Sequence, residues 1–239
     1  MYKIIRQQLL TFLFRLRENT LGVIRNYNLI RKSPFERFQE ESLENSYQTF
    51  KKYFPSSIFF KKNNGLIFGI KEAQKNYDDE DLFMELGVFK GKSINLLSSF
   101  LKNKNIYGFD SFEGLKEDWP GTMAQASTFD LKGNIPKVNK NVRIIKGWIQ
   151  DTLCNFLTEK NQKVIFVHID IDTYETTKFI LKNIKPFLKS GSIIIFDEMY
   201  NYPGWENNEY KALTEEFDED FFEFIAFSDF GQEAIIKIK

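Results

Sequence analysis

The run FMELGVFKGKS, residues 83–93, sets an acid and two glycines at a spacing that suits close approach of backbone to a ligand. Its tail, GKS, is how a phosphate-binding loop ends, but such a loop needs four residues between its first glycine and the next. Counting back from Gly91, that glycine would fall at Leu86, and Gly87 stands one residue too late. The dinucleotide fingerprint GxGxxG fails too, because Glu85 occupies its first position. What fits is ExGxxxG: Glu85, Gly87 and Gly91. Glycines let the chain leaving a strand pass close to a ligand. With no pyrophosphate to neutralise, an acid there is tolerable, and it suits a ligand with a cationic amine, as in the methionine moiety of S-adenosylmethionine. Ser93 is placed to cap the helix that follows. Asp110 ends the next strand, where an α/β nucleotide site places a carboxylate for the ribose hydroxyls.

These residues need a scaffold, and the pattern supplies one. DLFMELG (81–87), NIYGFD (105–110), VRIIKG (142–147), KVIFVHID (163–170) and SIIIFDE (192–198) read as strands. Helical patterns lie between them, at about 92–101, 150–159 and through TTKFILKNIKPFL. The nearly all-apolar KVIFVHID is what a strand buried on both faces requires. An acidic helix at about 206–219 and the strands FFEFIAF and EAIIKIK close the chain, and the short turn SDFGQ makes that last pair an antiparallel hairpin. The expectation is a Rossmann-like α/β fold: a seven-stranded, mostly parallel sheet with a C-terminal antiparallel hairpin. It occupies residues 61–239 and follows a helical N-terminal extension over 1–60.

Lys plus Arg and Asp plus Glu number 33 each, so no global basic field points to nucleic acid. A single cysteine, Cys154, excludes an internal disulfide and fits a reducing, cytoplasmic compartment. LLTFLF (9–14) is too short to span a bilayer and lacks the flanks of a signal peptide. Residues 1–32 nevertheless carry Lys3, Arg6, Arg15, Arg17, Arg25, Arg31 and Lys32 against one acid, Glu18. Ile5, Leu9, Phe12, Leu13 and Leu16 fall on one helical face. Two readings follow: a helix docked on its own core or on a second subunit as a homodimer contact, and a basic amphipathic helix lying peripherally on the inner membrane face.

In order, MELGVFKGKS, GFDSFEGLKEDW, NVRIIKGWIQDTL, HIDIDTYETT and IIIFDEMYNYPGWENNEYKAL resemble the class I S-adenosylmethionine-dependent methyltransferases of the macrocin O-methyltransferase type. The resemblance runs over about 80–239. It implies that Glu85, Gly87, Gly91, Asp110 and Ser111 contact the cofactor, that Gly147 and Trp148 flank the adenine, and that Asp151 lies nearby. It also implies a divalent cation, usually Mg²⁺, on Asp170 and an acidic pair, here Asp197 and Glu198. Members of that type carry Asp-Asp at the pair, so the Glu198 arm is longer. The residues agree on their own terms. Asp170 and the pair end two apolar strands, where open α/β sheets bind ligands, and an all-oxygen cluster suits Mg²⁺ rather than zinc.

An alcohol is a poor nucleophile until its proton is weakened. The expected chemistry is therefore O-methylation of a sugar or other small acceptor with vicinal oxygens, which the cation binds while Asp170 takes the proton. His168, two residues earlier on the same face, is a second candidate base or a packing residue. Asp172 reads as a helix cap. Trp119 and Trp205 sit on loops, where they either cover a substrate or simply pack, and EEFDED (215–220) reads as a solvated helix face. The alternatives are a metal-independent methyltransferase and a non-catalytic S-adenosylmethionine-binding partner in polysaccharide or metabolite assembly.

Overall fold

The computed structural model describes residues 32–61 and 64–239, together with positions 10, 12, 13, 15–18 and 20. The chain divides into two compact units, Met1–Glu41 and Ser42–Lys239. In the first, Phe12, Leu13 and Leu16 are helical and exposed, while Ile5 and Leu9 of the same apolar face lie outside the described residues. Of the basic residues read there, Lys3, Arg6, Arg25 and Arg31 also lie outside them. Among the described residues, no helix is long and apolar enough to cross a membrane.

In chain order the strands are β1 (Ile58–Phe60), β2 (Leu82–Leu86), β3 (Ile106–Asp110), β4 (Val142–Lys146), β5 (Val164–Ile169), β6 (Leu188–Phe196), β7 (Phe222–Ser228) and β8 (Ala234–Ile238). They form one sheet in the order β1-β7-β8-β6-β5-β2-β3-β4. β4, β3, β2, β5 and β6 run parallel, and β8 is antiparallel to both β6 and β7. Every residue of β2 and β5 is buried, as apolar strands between two helical layers must be. The sheet has one strand more than the seven expected. β1 pairs parallel with β7 at the edge, and its three residues carry too little periodicity to be read as a strand. Residues 42–60, placed with the extension in the sequence reading, lie within the Ser42–Lys239 unit.

The helices are α1 (Pro34–Phe50), α2 (Asn64–Ala73), α3 (Lys92–Ser99), α4 (Ile149–Lys160), α5 (Tyr174–Ile184) and α6 (Glu209–Glu216). Chain direction across the sheet reverses between β2 and β5: β3 and β4 extend one way from β2, and β5 and β6 the other. The carboxyl ends of strands at such a switch point frame a crevice. Gly87 and Asp170 stand there, and the Asp170 N–H donates to Leu86 O at 2.9 Å.

Phe50 anchors one face of the fold. Its ring is fully buried, with centroids 5.3–5.6 Å from Tyr200, Trp205, Tyr210, Phe224 and Phe227. Truncating a buried aromatic loses its transfer energy and leaves a cavity. Phe50→Ala is therefore expected to destabilise the protein by about 3–5 kcal/mol, read as a lower urea midpoint with an unchanged slope. Trp205 belongs to the same cluster. It is fully buried and donates Nε1–H to Ser42 O at 3.2 Å, so of the two readings open to it the structure selects packing.

Candidate active site

Strand register builds the site. Glu85 of β2 pairs with His168 of β5, which pairs with Ile195 of β6. Side chains two residues apart share a sheet face, so Asp170 follows His168 and Asp197 follows Ile195 on the side Glu85 occupies. Four chemically active side chains from three strands thereby meet at one end of the sheet.

A cavity of about 330 Å³ opens there, within the range of small-molecule sites. Gly87, Asp110, Ser111, Trp148 and Gln150 wall one part, and Asp170, Asp172, Asp197 and Glu198 another. Leu115, Lys116, Trp119 and Phe129, from the segment after β3, line it as well. Gly87 cannot be replaced in place. Its φ is +93°, and a Cβ would stand 1.8 Å from Asp170 O. Gly91, at φ +75°, opens α3 without a side-chain cap. Ser93 does not cap that helix: its hydroxyl donates to Glu85 Oε1 at 3.0 Å.

Asp110 is largely committed to the protein. Oδ2 accepts from the N–H groups of Val88 and Phe89 at 2.8 and 2.7 Å, and Oδ1 from that of Phe112 at 2.7 Å. Of the roughly four lone-pair sites of a carboxylate, about one is left for a ribose hydroxyl. Glu85 is further from the expected role. It is fully buried between Ser93 and His168, whose Nδ1 lies 3.1 Å from Oε2, and it is not among the cavity walls. Nor are Gly91, Ser93, Gly147 and Asp151; Asp151 is exposed on the first turn of α4, while Gln150 beside it faces the cavity.

The acidic end is dense. Donor atoms of His168, Asp170 and Asp197 lie within 4.8 Å of one another, and so do those of Asp170, Asp172 and Glu198. Asp170 is common to both sets. Glu209, at the start of α6, is fully buried beside them and accepts the Glu198 N–H through Oε2 at 3.0 Å. Buried Glu198 Oε2 and Glu209 Oε1 have no hydrogen-bond partner. Uncompensated buried oxygens in an all-carboxylate cluster fit a hard divalent cation. Burial, then the Asp197 charge, pushes the carboxyls of Asp170 and Glu198 well above the usual range and that of Asp172 up to about 7. For Glu209, burial again leads the upward push, which the hydrogen bond from Glu198 opposes.

The sign of the resulting pH dependence follows. A raised folded-state pKa means that the cation-free protein holds extra protons, so stability is greatest at acid pH and falls as pH rises to about 7. Asp172 alone accounts for at most about 4 kcal/mol of that fall. Melting temperature in EDTA is expected to drop between pH 5 and pH 8, less steeply with millimolar Mg²⁺ and less steeply in Asp172→Asn. Identical pH profiles for all three would overturn this account.

Two cluster residues escaped the sequence. Asp172 reads locally as a cap, but it is buried, adopts φ +67° and lines the cavity, while Thr173 is the N-cap of α5. A non-glycine residue in that conformation costs about 1–3 kcal/mol and is held there by its surroundings. Glu209 sits in a polar run, NNEY, that carries no sign of burial.

Residues 84–199 match the family described as "Methyltransferase domain". The 8-demethyl-8-(2,3-dimethoxy-alpha-L-rhamnosyl)-tetracenomycin-C 4'-O-methyltransferase of Streptomyces olivaceus is 25% identical over 138 residues. That match takes in 48% of this chain and 51% of the relative, about half its length. Among solved structures, calicheamicin methyltransferase CalS11 superposes with a TM-score of 0.61 at 21% identity, over 87% of this chain and 94% of that one. The O-methyltransferase NovP gives 0.53 at 20%, over 74% and 78%. The two structures share the fold, and the glycine turn, β3–β6 and Asp170, Asp197 and Glu198 fall inside the matched segment. A methyltransferase domain is thus what residues 84–199, just under half of this chain, are similar to.

Proposed function

We propose that this chain transfers a methyl group from S-adenosylmethionine to a hydroxyl of a sugar or similar small acceptor with neighbouring oxygens, with Mg²⁺ or a related cation at the acidic cluster. One observation carries the reading: a single cavity joins the glycine turn at Gly87 to Asp170, Asp172, Asp197 and Glu198. A cofactor site without acceptor chemistry would have no use for that concentration of carboxylates. The curated relative, named for a 4'-O-methylation, supports an acceptor of this kind.

When bound, S-adenosylmethionine supplies a methyl group on a positively charged sulfur. A divalent cation on Asp170, Asp197 and Glu198 would lower the pKa of an acceptor hydroxyl. The chain's own part is positional and basic. The close approach at Gly87 and the Trp148 and Ile149 side chains hold the nucleoside end, and Asp110 offers its remaining lone pair to the ribose. Asp170, half-buried at the cavity wall, stands where it can accept the hydroxyl proton. Leu115, Trp119 and Phe129 narrow the cavity and exclude water. His168 is 1% exposed and lies behind these walls, so any part it plays is through the cluster rather than on the acceptor.

Calorimetric titration with S-adenosylhomocysteine tests the cofactor, and activity on rhamnosyl and other diol acceptors tests the reaction. Micromolar binding is expected, unchanged by EDTA, with methylation abolished by EDTA. No binding would end the methyltransferase reading, and activity that survives chelation would favour the metal-independent one.

A further inference from the structure

The one histidine of the chain is buried in an interior strand of the sheet, where an apolar residue would pack without any desolvation cost. Its surroundings are specific. Nδ1 lies 3.1 Å from Glu85 Oε2, and Glu85 is held on its other oxygen by Ser93. Nε2 has no hydrogen-bond partner and faces Asp197 Oδ1 across 3.6 Å, with Asp170 completing a set of donors within 4.8 Å. A carboxylate on Nδ1 orients the ring and keeps that nitrogen protonated, so that a cation can take the place of a proton at Nε2. A cation there would stand between Nε2 and the oxygens of Asp197 and Asp170. Two donors each about 2.1 Å from one ion stand roughly 3–4 Å apart, and the His168–Asp197 separation is of that size.

We propose that His168 Nε2 is a nitrogen ligand of the cation, with Asp170 and Asp197 as oxygen ligands and Glu85 as the positioning residue that orients the imidazole. The inference rests on the reading that the acidic cluster holds a cation, and it adds a nitrogen donor to an otherwise all-oxygen site. Metal-bound histidines commonly donate their second ring N–H to a carboxylate, and Glu85 supplies that partner. This gives Glu85 a use that its burial away from the cavity otherwise leaves unexplained. One imidazole among carboxylates shifts preference from Mg²⁺ toward first-row divalent ions such as Mn²⁺.

The single histidine makes the test clean. Protein purified without a polyhistidine tag is loaded with Mn²⁺ alone, and pulsed electron paramagnetic resonance is recorded on unlabelled protein and on protein grown with ¹⁵N-histidine. A directly coordinated ¹⁴N modulation that converts to ¹⁵N on labelling is the expected result, with no substitution needed. Glu85→Gln should then weaken Mn²⁺ binding by about 10- to 100-fold with an unchanged far-ultraviolet circular dichroism spectrum as the check on folding. Bound Mn²⁺ showing only oxygen and water-proton couplings would overturn the proposal and leave the metal-dependent reading standing. No Mn²⁺ binding at all would overturn both.

Discussion

Asp170→Asn should lower turnover by about 10²–10⁴-fold while S-adenosylhomocysteine binds within a few-fold of wild type. The substitution keeps side-chain volume, and the backbone N–H bond from Asp170 to Leu86 O does not involve the side chain. What it removes is the charge shared by both donor sets and the carboxylate placed to take the acceptor proton. Removing one of several like charges should also raise the melting temperature in EDTA, because the burial and repulsion that push up the Asp170 pKa vanish with it. Steady-state kinetics at saturating Mg²⁺, calorimetry and a thermal melt separate the three effects. Wild-type turnover in the variant would remove Asp170 from the role of base.

Gly87→Ala is the second large effect, and it acts through geometry. The new methyl would stand 1.8 Å from Asp170 O, a backbone atom that cannot rotate away, at a φ of +93° that alanine disfavours. Either the turn lifts off β5, breaking the Leu86–Asp170 hydrogen bond, or Asp170 is displaced. Both damage the cofactor wall and the acidic cluster together. We expect a loss of order 3 kcal/mol in stability and S-adenosylhomocysteine binding too weak to detect by calorimetry. Gly91→Ala is the matched control. Its φ of +75° is also unfavourable, but the nearest atom to a Cβ is a side-chain methyl of Val138 at 3.3 Å. That variant should lose only about 1–2 kcal/mol and keep micromolar binding. If the two glycine variants behave alike, steric contact with Asp170 is not what Gly87 relieves.

The sequence by itself was enough for the alternation of strands and helices, the terminal hairpin, the glycine turn and the placing of Asp170, Asp197 and Glu198 at strand ends. Each of these is local: apolar runs, a period of two or 3.6, a turn residue, or position at the end of a run. Only the tertiary structure decided which polar groups face the cavity. Glu85 and Asp110 both lie at the carboxyl-terminal part of a strand, yet Glu85 turns inward because register sets it against His168, 83 residues away, while Asp110 spends three of its lone pairs on loop amides. Asp172 became a wall residue by entering a left-handed conformation, and Glu209 joined the cluster because α6 begins against Glu198. Trp205 was drawn from the loop surface into the core by Phe50 and Ser42. The reason is common to all five. A side chain's type and local period are written in its neighbours along the chain, whereas its burial and partners are set by strand register and helix docking between segments far apart in sequence.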